Sequence, residues 1–448
     1  MFLLVFAGCS QKTVDVSLPL EPPGYFSYSG EDTVPDKWWT VFDDPDLNVL
    51  IDSALSSNFN IRSAWENLRA ARFIVDRESS ALFPSVEASL QGGIDYPQPD
   101  YVGGESFRFG LRSEYEVDLW GRIRSSIEAE QYLAQAGFSD YRATALLLSA
   151  EIVRTWFALG EAKKQQELIN EQIDVNEQML RLLRARLGSG LIRSVDVLRQ
   201  KQLIESNYEQ RIQVENEVNI LENELNVLLG RFPRSSFSAL PDSLPNLPPL
   251  PETGVPANLV MRRPDVQAAY NRLLAADRDL ATAVSSKYPR FSLTASASVR
   301  ANNVNQLFEE WAYSLAGNIL APLFRGGALN AEANRAEAVK NQLLYEYAQT
   351  VLIAFREVED ALVREINQRE RIQSLQTQAD LADKAYRQLR LEYFNGMANY
   401  IDVLTALNQQ QQLQRTLLAE SLTMFMIRTA LYRALAGGFE TPVESRDN

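Results

Sequence analysis

The chain of 448 residues contains two copies of one unit, offset by about 205 residues. Matching segments occur in the same order in both copies, and their spacing hardly changes along the chain. They are residues 60–64 with 265–269, 83–84 with 288–289, Gly190 with Gly396, 195–198 with 401–404, and 229–230 with 435–436. Solenoid repeats are far shorter than this period. The fold must therefore consist of two similar halves.

Each copy contains a pair of predicted strands, each about 10 residues long. In the first copy, residues 106–119 place Phe107, Phe109, Leu111, Tyr115, Val117 and Leu119 on one face and Arg108, Arg112, Glu114, Glu116 and Asp118 on the other. In the second copy, residues 291–300 alternate in the same way, and a return strand is predicted through Trp311, Tyr313, Leu315 and Ile319. This length suits a tilted strand that crosses a bilayer, although a hairpin on a soluble core would alternate equally well.

Four strands in one chain cannot close a barrel, and unpaired backbone groups at an open edge in lipid cost several kcal/mol each. Three copies would supply about twelve strands, which lies within the range of outer-membrane barrels. Beyond the N-terminus, no stretch is predicted to be apolar enough for a spanning helix. We therefore predict a mainly α-helical chain with a transmembrane β-barrel, in which a homotrimer contributes four strands per chain.

Very long helices are predicted between the strands and the glycines. The stretch 122–187 would extend roughly 100 Å as a helix. Toward the glycines the apolar spacing becomes heptad-like, which indicates helices in coiled-coil contact. The residues with this spacing are Val214, Val218, Leu221, Leu225 and Leu228 in the first copy and Leu375, Ala379, Ala382, Tyr386, Leu389 and Tyr393 in the second. Each copy is predicted to form a long antiparallel hairpin with its tip at Gly190 or Gly396.

Composition excludes several classes of function. The net charge is -14, with 58 acidic and 44 basic residues, and a nucleic-acid partner needs a positive surface. The chain has no histidine and only one cysteine, Cys9, which excludes His-dependent acid–base catalysis, His/Cys zinc sites and internal disulfides. No convergent group of titratable residues is visible. We expect no catalytic residues, no metal and no cofactor.

The first nine residues form an apolar run that ends in Ala7-Gly8-Cys9. This run is similar to the end of a bacterial lipoprotein signal, which implies that Cys9 carries a covalent lipid. The alternative is an incidental cysteine near a frayed end. The basic segment that opens such signals is missing, so we expect the true start to lie further upstream.

The predicted segments follow the repeat, and a proline-rich linker joins the halves. They are a signal remnant (1–9), an N-terminal segment with the first helix (10–81), β-hairpin 1 (82–120), helical hairpin 1 (121–230), the linker (231–256), the first helix of repeat 2 (257–286), β-hairpin 2 (287–322), helical hairpin 2 (323–438) and a C-terminal tail (439–448).

Several segments together resemble one family, and the resemblance extends from Trp38 to Gly438. The segments are Trp38-Trp39 with Phe42 and residues 44–47 (DPDL), residues 115–122 (YEVDLWGR), residues 255–259 (VPANL) and residues 262–266 (RRPDV). They are similar to the outer-membrane efflux factor family, in its TolC-like or OprM-like lipoprotein branch, the NodT-type outer-membrane components of tripartite efflux systems. Arg263, Pro264 and Asp265 also have a structural interpretation, as the start of a helix.

The resemblance implies a homotrimer with a barrel in the bacterial outer membrane, anchored by lipid, and a helical tunnel in the periplasm. It implies partners, namely a periplasmic membrane-fusion adaptor and an inner-membrane pump, with an RND-type pump favoured. The implied function is passive efflux of small molecules such as drugs. The alternatives are a type I protein-secretion duct of the same architecture and, from another class, a periplasmic coiled-coil scaffold without alternating strands.

The resemblance also implies a periplasmic gate near the hairpin tips. Asp402 matches an acidic gate position of the family, whereas Thr405 stands where the family frequently has a second acid. We assign the gate to Ile401, Asp402 and Thr405. Asp196 and Asp402 could instead favour the N-terminal dipole of a returning helix, an interpretation that we prefer for Asp196 and leave open for Asp402. The tip pairs assigned to adaptor contact are Gly190 with Leu191 and Gly396 with Met397.

Overall fold

A computed structural model describes residues 23–30, 34–95, 104–233, 244, 247–253, 261–301 and 308–444. Cys9 and most of the proline-rich linker lie outside these residues. The helices are α1 (Pro45–Ser57), α2 (Phe59–Ser79), α3 (Arg122–Gly188), α4 (Ser194–Leu228), α5 (Pro264–Ser285), α6 (Ala328–Phe394) and α7 (Tyr400–Leu435). The strands are β1 (Ser85–Asp95), β2 (Gly104–Val117), β3 (Arg290–Ala301) and β4 (Trp311–Leu320). The predicted fold class, mainly helical with four strands per chain, is confirmed.

The strands form one antiparallel sheet in the order β1-β2-β3-β4. The central pairing, β2 with β3, joins the two repeats, with Tyr115 opposite Leu293. The register places the apolar side chains of all four strands on one face, because Leu90 lies opposite Phe109 and Val299 opposite Trp311. The alternating strands contradict the scaffold alternative, which predicts heptads throughout.

β2 ends earlier than the alternation of apolar and polar residues predicts. The strand stops at Val117, so Leu119 lies beyond it. The carboxylate of Asp118 accepts hydrogen bonds from the backbone N–H groups of Ile123 (3.2 Å) and Arg124 (2.9 Å). These are first-turn groups of α3 that have no partner inside the helix, so Asp118 serves the helix rather than the sheet.

The prediction that no later stretch is apolar enough for a spanning helix is wrong for α3. By length and composition, one stretch of that helix passes the test. Most of this stretch is buried inside the protein, which is typical of a core helix.

The chain divides into two compact units. The first contains Glu66–Ser139 and Gln267–Thr350, and therefore holds the whole sheet. Trp120 belongs to this unit. Its ring stacks on Tyr288 with centroids 5.1 Å apart, and its Nε1 donates to the carbonyl of Pro289 at 2.8 Å. The residue that follows β2 is thus fixed to the residues that precede β3.

The second unit contains Pro22–Trp65, Asp140–Val266 and Val351–Asn448. Trp38, Trp39 and Phe42 are buried there in an aromatic cluster with Phe157 and Tyr432. These tryptophans are packing residues. Asp44 holds the cluster to α1, because one of its oxygens caps the helix at Leu47 N (3.0 Å) and the other accepts from Trp156 Nε1 (2.8 Å).

Arg263 starts α5 through a set of ion pairs in the same unit. Its Nη2 lies 2.8 Å from Asp265 Oδ2 and 2.8 Å from Glu357 Oε2, and Pro264 is the first residue of the helix. Burial alone would lower the pKa of Arg263, but the two carboxylates outweigh it and raise the pKa. This segment has the structural role that its sequence suggests.

A buried arginine anchors the described part of the linker. Arg428 Nε donates to Glu365 Oε2 at 2.8 Å, and both side chains are 1% exposed. Arg428 Nη1 donates to the carbonyls of Pro248 (2.7 Å) and Pro249 (2.9 Å). Because the prolines have no N–H, their carbonyls are the groups through which this segment can be bound.

Replacing Arg428 tests this anchor. Arg428→Met leaves the Glu365 carboxylate buried without its main partner, and we expect the free energy of unfolding to fall by about 3–5 kcal/mol. The double variant Arg428→Met with Glu365→Leu also removes the unpaired buried carboxylate, so it should recover most of the lost stability. The measurement is urea unfolding of the detergent-solubilised protein, followed by tryptophan fluorescence. Equal losses in the single and double variants would contradict the assignment.

Candidate functional site

Both helical hairpins turn through the same backbone motif. Gly190 (φ 70°) and Gly396 (φ 77°) adopt the left-handed conformation that glycine tolerates. At the first tip, Gly190 N–H donates to Leu187 O (2.9 Å) and Leu191 N–H donates to Arg186 O (3.0 Å). The second tip repeats this pattern, with Gly396 bound to Tyr393 and Met397 to Glu392. This arrangement is the Schellman motif, which satisfies the last carbonyls of a helix.

The residue after each glycine is apolar and exposed. Leu191 is 67% exposed and Met397 is 70% exposed. The motif usually pairs such a residue with an apolar side chain one turn back, but here both side chains are left largely in solvent. Each tip therefore presents one apolar side chain that is available to a partner.

The helices that leave the tips begin with equivalent aspartates. Asp196 accepts from the Arg193 N–H at 3.4 Å, and Asp402 accepts from the Asn399 N–H at 3.3 Å, both as the third residue of a capping box. The two differ in exposure, since Asp196 is buried and Asp402 is exposed. The structure thus shows a capping contact at both positions, and Asp402 keeps a solvent-facing carboxylate as well.

The three residues predicted for the gate lie close together at the start of α7. Ile401, Asp402 and Thr405 are all exposed, and Thr405 Oγ1 donates to the carbonyl of Ile401 at 2.8 Å. Their neighbour Val403 is fully buried in the apolar core near the tips. The exposed residues consequently share one face of the helix, opposite the face that is packed.

A buried polar layer joins the two hairpins near the tips. The Tyr400 hydroxyl donates to Gln200 Oε1, and Gln200 Nε2 donates to the Asn176 carbonyl at 2.8 Å. Asn176 Nδ2 donates in turn to Gln411 Oε1 at 3.2 Å. Burial, supported by nearby Tyr393, raises the pKa of Tyr400, so its phenol stays a neutral donor. This network connects α3, α4 and α7 within an apolar core.

This polar layer is not among the features predicted from the sequence. Its residues are far apart in the chain, and glutamines within a helix resemble solvent-facing residues. One signal was available, because Asn176 and Gln200 are three or four residues from buried apolar positions of their helices. Of the predicted residues, the structure brings the gate trio together and places both tip pairs on turns.

The sheet supplies a second surface of interest. Its apolar face is largely exposed at the outer strands, where Val86, Leu90, Leu315 and Ile319 are 69% to 79% exposed. Its other face carries polar pairs such as Ser296 with Ser314, whose hydroxyls lie 2.8 Å apart. A sheet with one exposed apolar face and one polar face fits a barrel in lipid with a wet interior.

A family description of outer membrane efflux proteins matches residues 50–231 and 255–437, which covers both repeats. The chain belongs to the outer membrane efflux protein family. Members of this family are channels and not enzymes, so the prediction of no enzymatic activity is confirmed. The predictions of an outer-membrane location and of a role in efflux are confirmed as well.

Curated relatives in this efflux family extend over nearly the whole chain. The pyoverdine export outer membrane protein OpmQ of Pseudomonas aeruginosa is 27% identical over 470 residues, covering 98% of this chain and 96% of the relative. The probable efflux pump outer membrane protein SepC of Pseudomonas putida is 30% identical over 424 residues, covering 90% and 85%. Among solved structures, the outer-membrane channel OprN matches with a TM-score of 0.88 at 27% identity and covers 94% of this chain and 99% of that one.

The polar layer of this efflux protein can be tested at Tyr400. Tyr400→Phe keeps the ring but leaves Gln200 Oε1 buried without its donor, which we expect to cost about 1–3 kcal/mol of stability. Tyr393→Phe is the matched control, because the Tyr393 hydroxyl is buried and has no hydrogen-bond partner. Thermal unfolding should show a loss for Tyr400→Phe and little change for Tyr393→Phe. Equal effects would show that the layer does not stabilise the tips.

Proposed function

We propose that three copies of this chain form a passive duct, in which the four-stranded sheets close a twelve-stranded barrel in the outer membrane. The observation that carries the proposal is the sheet with one exposed apolar face and two outer strands, β1 and β4, each paired on one side only among the described residues. In lipid such edges need a partner strand, because no water is present to satisfy the backbone. A second copy of the chain offers the complementary edge.

The internal repeat indicates how the copies would join. β2 and β3 come from different repeats, so their pairing is a seam between repeats. β4 is the repeat equivalent of β2, since Leu119-Trp120 corresponds to Leu323-Phe324, and β1 is the equivalent of β3. Transferring the observed pairing of Glu114 with Thr294 to the outer strands places Asn318 of one copy opposite Ser89 of the next. In that register the apolar faces of both strands coincide.

The residues around the seam support this assignment. In the observed seam, Trp120 packs on Tyr288 and Pro289. Its repeat equivalent, Phe324, is 88% exposed, and the equivalents of Tyr288-Pro289 are Phe83-Pro84, of which Phe83 is 70% exposed. Phe324 of one copy would therefore pack on Phe83-Pro84 of its neighbour. Each exposed surface has its counterpart on another copy.

A wet duct of this kind discriminates little among its solutes. The relatives are named for cargoes as different as pyoverdine and toluene, although their identity to this chain is similar. We infer that the cargo is a small molecule selected elsewhere, by an inner-membrane pump, for which an RND-type pump is our proposal. A periplasmic adaptor would connect pump and duct at the tips, where Leu191 and Met397 offer apolar contacts. A lipid on Cys9 would add a second membrane attachment.

The gate is proposed at the exposed carboxylate of Asp402. Around a threefold axis, three copies of Asp402 would form one acidic ring, flanked by Ile401 and Thr405. Such a ring attracts cations and retains them at a constriction. The equivalent Asp196 is buried and caps its helix, so it takes no part in the ring.

The seam can be tested by cysteine cross-linking. Directly opposed residues in adjacent strands have Cβ atoms about 5 Å apart, close enough for a disulfide. The double variant Ser89→Cys with Asn318→Cys should therefore give covalent trimers on a non-reducing gel after oxidation in the membrane. The control, Ser89→Cys with Ser314→Cys, is four residues out of register, a shift of roughly 13 Å, and should stay uncross-linked. Cross-linking of the control alone would overturn the register, and monomers in both would overturn the barrel.

The gate can be tested by comparing two equivalent caps. Asp402→Asn and Asp196→Asn each replace one capping carboxylate by an amide that still offers an oxygen to the N-cap N–H. In planar bilayers we expect only Asp402→Asn to raise the single-channel conductance and to weaken the preference for K⁺ over Cl⁻, because only this change removes a carboxylate from the pore. Identical conductance and selectivity in both variants would return Asp402 to a purely structural role.

A further inference from the structure

Two arginines face each other across the seam between the repeats. Arg108 of β2 and Arg300 of β3 are direct partners in the antiparallel register, so their side chains project from the same face of the sheet. Both side chains are exposed. Like charges directly opposite each other destabilise a strand pair. This pair nevertheless occurs between the two central strands, β2 and β3.

Within the part of the chain that the structure describes, neither guanidinium has an ion-pair or hydrogen-bond partner. An arginine closer to the helices on this face and another at the start of α3 differ in that respect. Arg112 lies 3.3 Å from Glu114, and Arg122 lies 2.9 Å from Glu116. Glu310 immediately precedes β4 and would extend the register opposite Arg300, but the two form no ion pair among the described residues. Neither arginine of the Arg108–Arg300 pair is therefore neutralised by a direct ion pair among the described residues.

Gln91 lies opposite Arg108 in the same row of this face, and the rows on either side hold small residues. The next row of the same face toward the helices consists of Ser89, Gly110 and Ser298, which are opposite one another in the register. A Cβ at Gly110 would already meet Ser89 Oγ at 3.4 Å, so this row fits closely without any large side chain. The next row toward the strand turns contains Gly93 and Ser106. Small residues on both sides keep the two guanidinium groups open to solutes.

The position of Arg108 and Arg300 along their strands determines at which end of the barrel they would act. α2, α3, α5 and α6 all connect to the opposite ends of the strands, while Arg108 and Arg300 lie toward the ends where β1 turns into β2 and β3 into β4. In the proposed barrel the helices continue into the periplasm, so these turns lie at the external mouth. The polar face lines the lumen, and three copies would place six arginines there in one ring.

We infer that Arg108 and Arg300 form a binding site for multiply charged small anions at the external mouth of the duct. Guanidinium groups present several N–H donors in a planar fork that matches phosphate and carboxylate oxygens. Six such groups in a lumen with low-dielectric walls would raise the local concentration of anions. The site would favour the exit of anionic cargo, and it would equally hold an anion that enters from outside. This inference rests on the proposed barrel.

The test uses inorganic tripolyphosphate as a blocker of KCl current through the full-length trimer in planar bilayers. Added on the side of the strand turns, it should block the wild type in a voltage-dependent manner. The double variant Arg108→Gln with Arg300→Gln should need at least about tenfold more tripolyphosphate for half block, because both donors and charge are lost. Added on the side of the helical tips, it should give no difference between the two proteins at the same voltage.

The double variant Arg108→Lys with Arg300→Lys separates charge from geometry. It keeps the positive ring but loses the planar fork, so its half-blocking concentration should lie between those of wild type and the Gln variant. Higher KCl should weaken the block in wild type through screening. If the Gln variant conducts and is blocked at the same tripolyphosphate concentration as the wild type, the anion site is overturned while the duct stands. Absence of any channel in wild type would instead overturn the proposed function.

Discussion

The backbone N–H and C=O groups along the outer edges of β1 and β4 constrain how the rest of this molecule can be arranged. Inside lipid, a strand whose N–H and C=O groups face hydrocarbon is too unstable to persist, so a four-stranded sheet with one apolar face requires a neighbour at each edge. Duplication within the chain pairs the inner strands, and copies of the chain supply the neighbours of the outer ones. Its repeat places a strand pair in each half, and the β2–β3 seam already shows how one half joins the other.

The long helices meet a different requirement, because a helix of this length gains its stability from tertiary packing rather than from propensity. Near the tips, the apolar core around Leu183, Val403 and Leu407 supplies that packing. The Gln200–Tyr400 layer adds directional bonds within this core. Such a layer fixes the register of the helices, since a shift by one residue would leave buried polar groups without partners.

Much of the fold could be read from local patterns. A period of two predicted the strands, heptad spacing predicted paired helices, and the two tip glycines predicted the turns. Contacts between distant residues could not be read in this way. Arg428 looks like an ordinary helical arginine until Pro248 and Glu365 are brought beside it, and Arg108 meets Arg300 only once the register between repeats is known. The strand end at Val117 was missed because Asp118 fits the alternation equally well and is taken by the helix.

The β2–β3 seam also has a consequence for the order of folding. Phe107 pairs with Ala301, so the centre of the sheet cannot form until both repeats have been delivered to the same compartment. Pairings between residues so distant in sequence form slowly, because the loop between them must close first. The first hairpin alone is a two-stranded unit of marginal stability in water. The newly exported chain must therefore keep its apolar strand faces from aggregating during that interval.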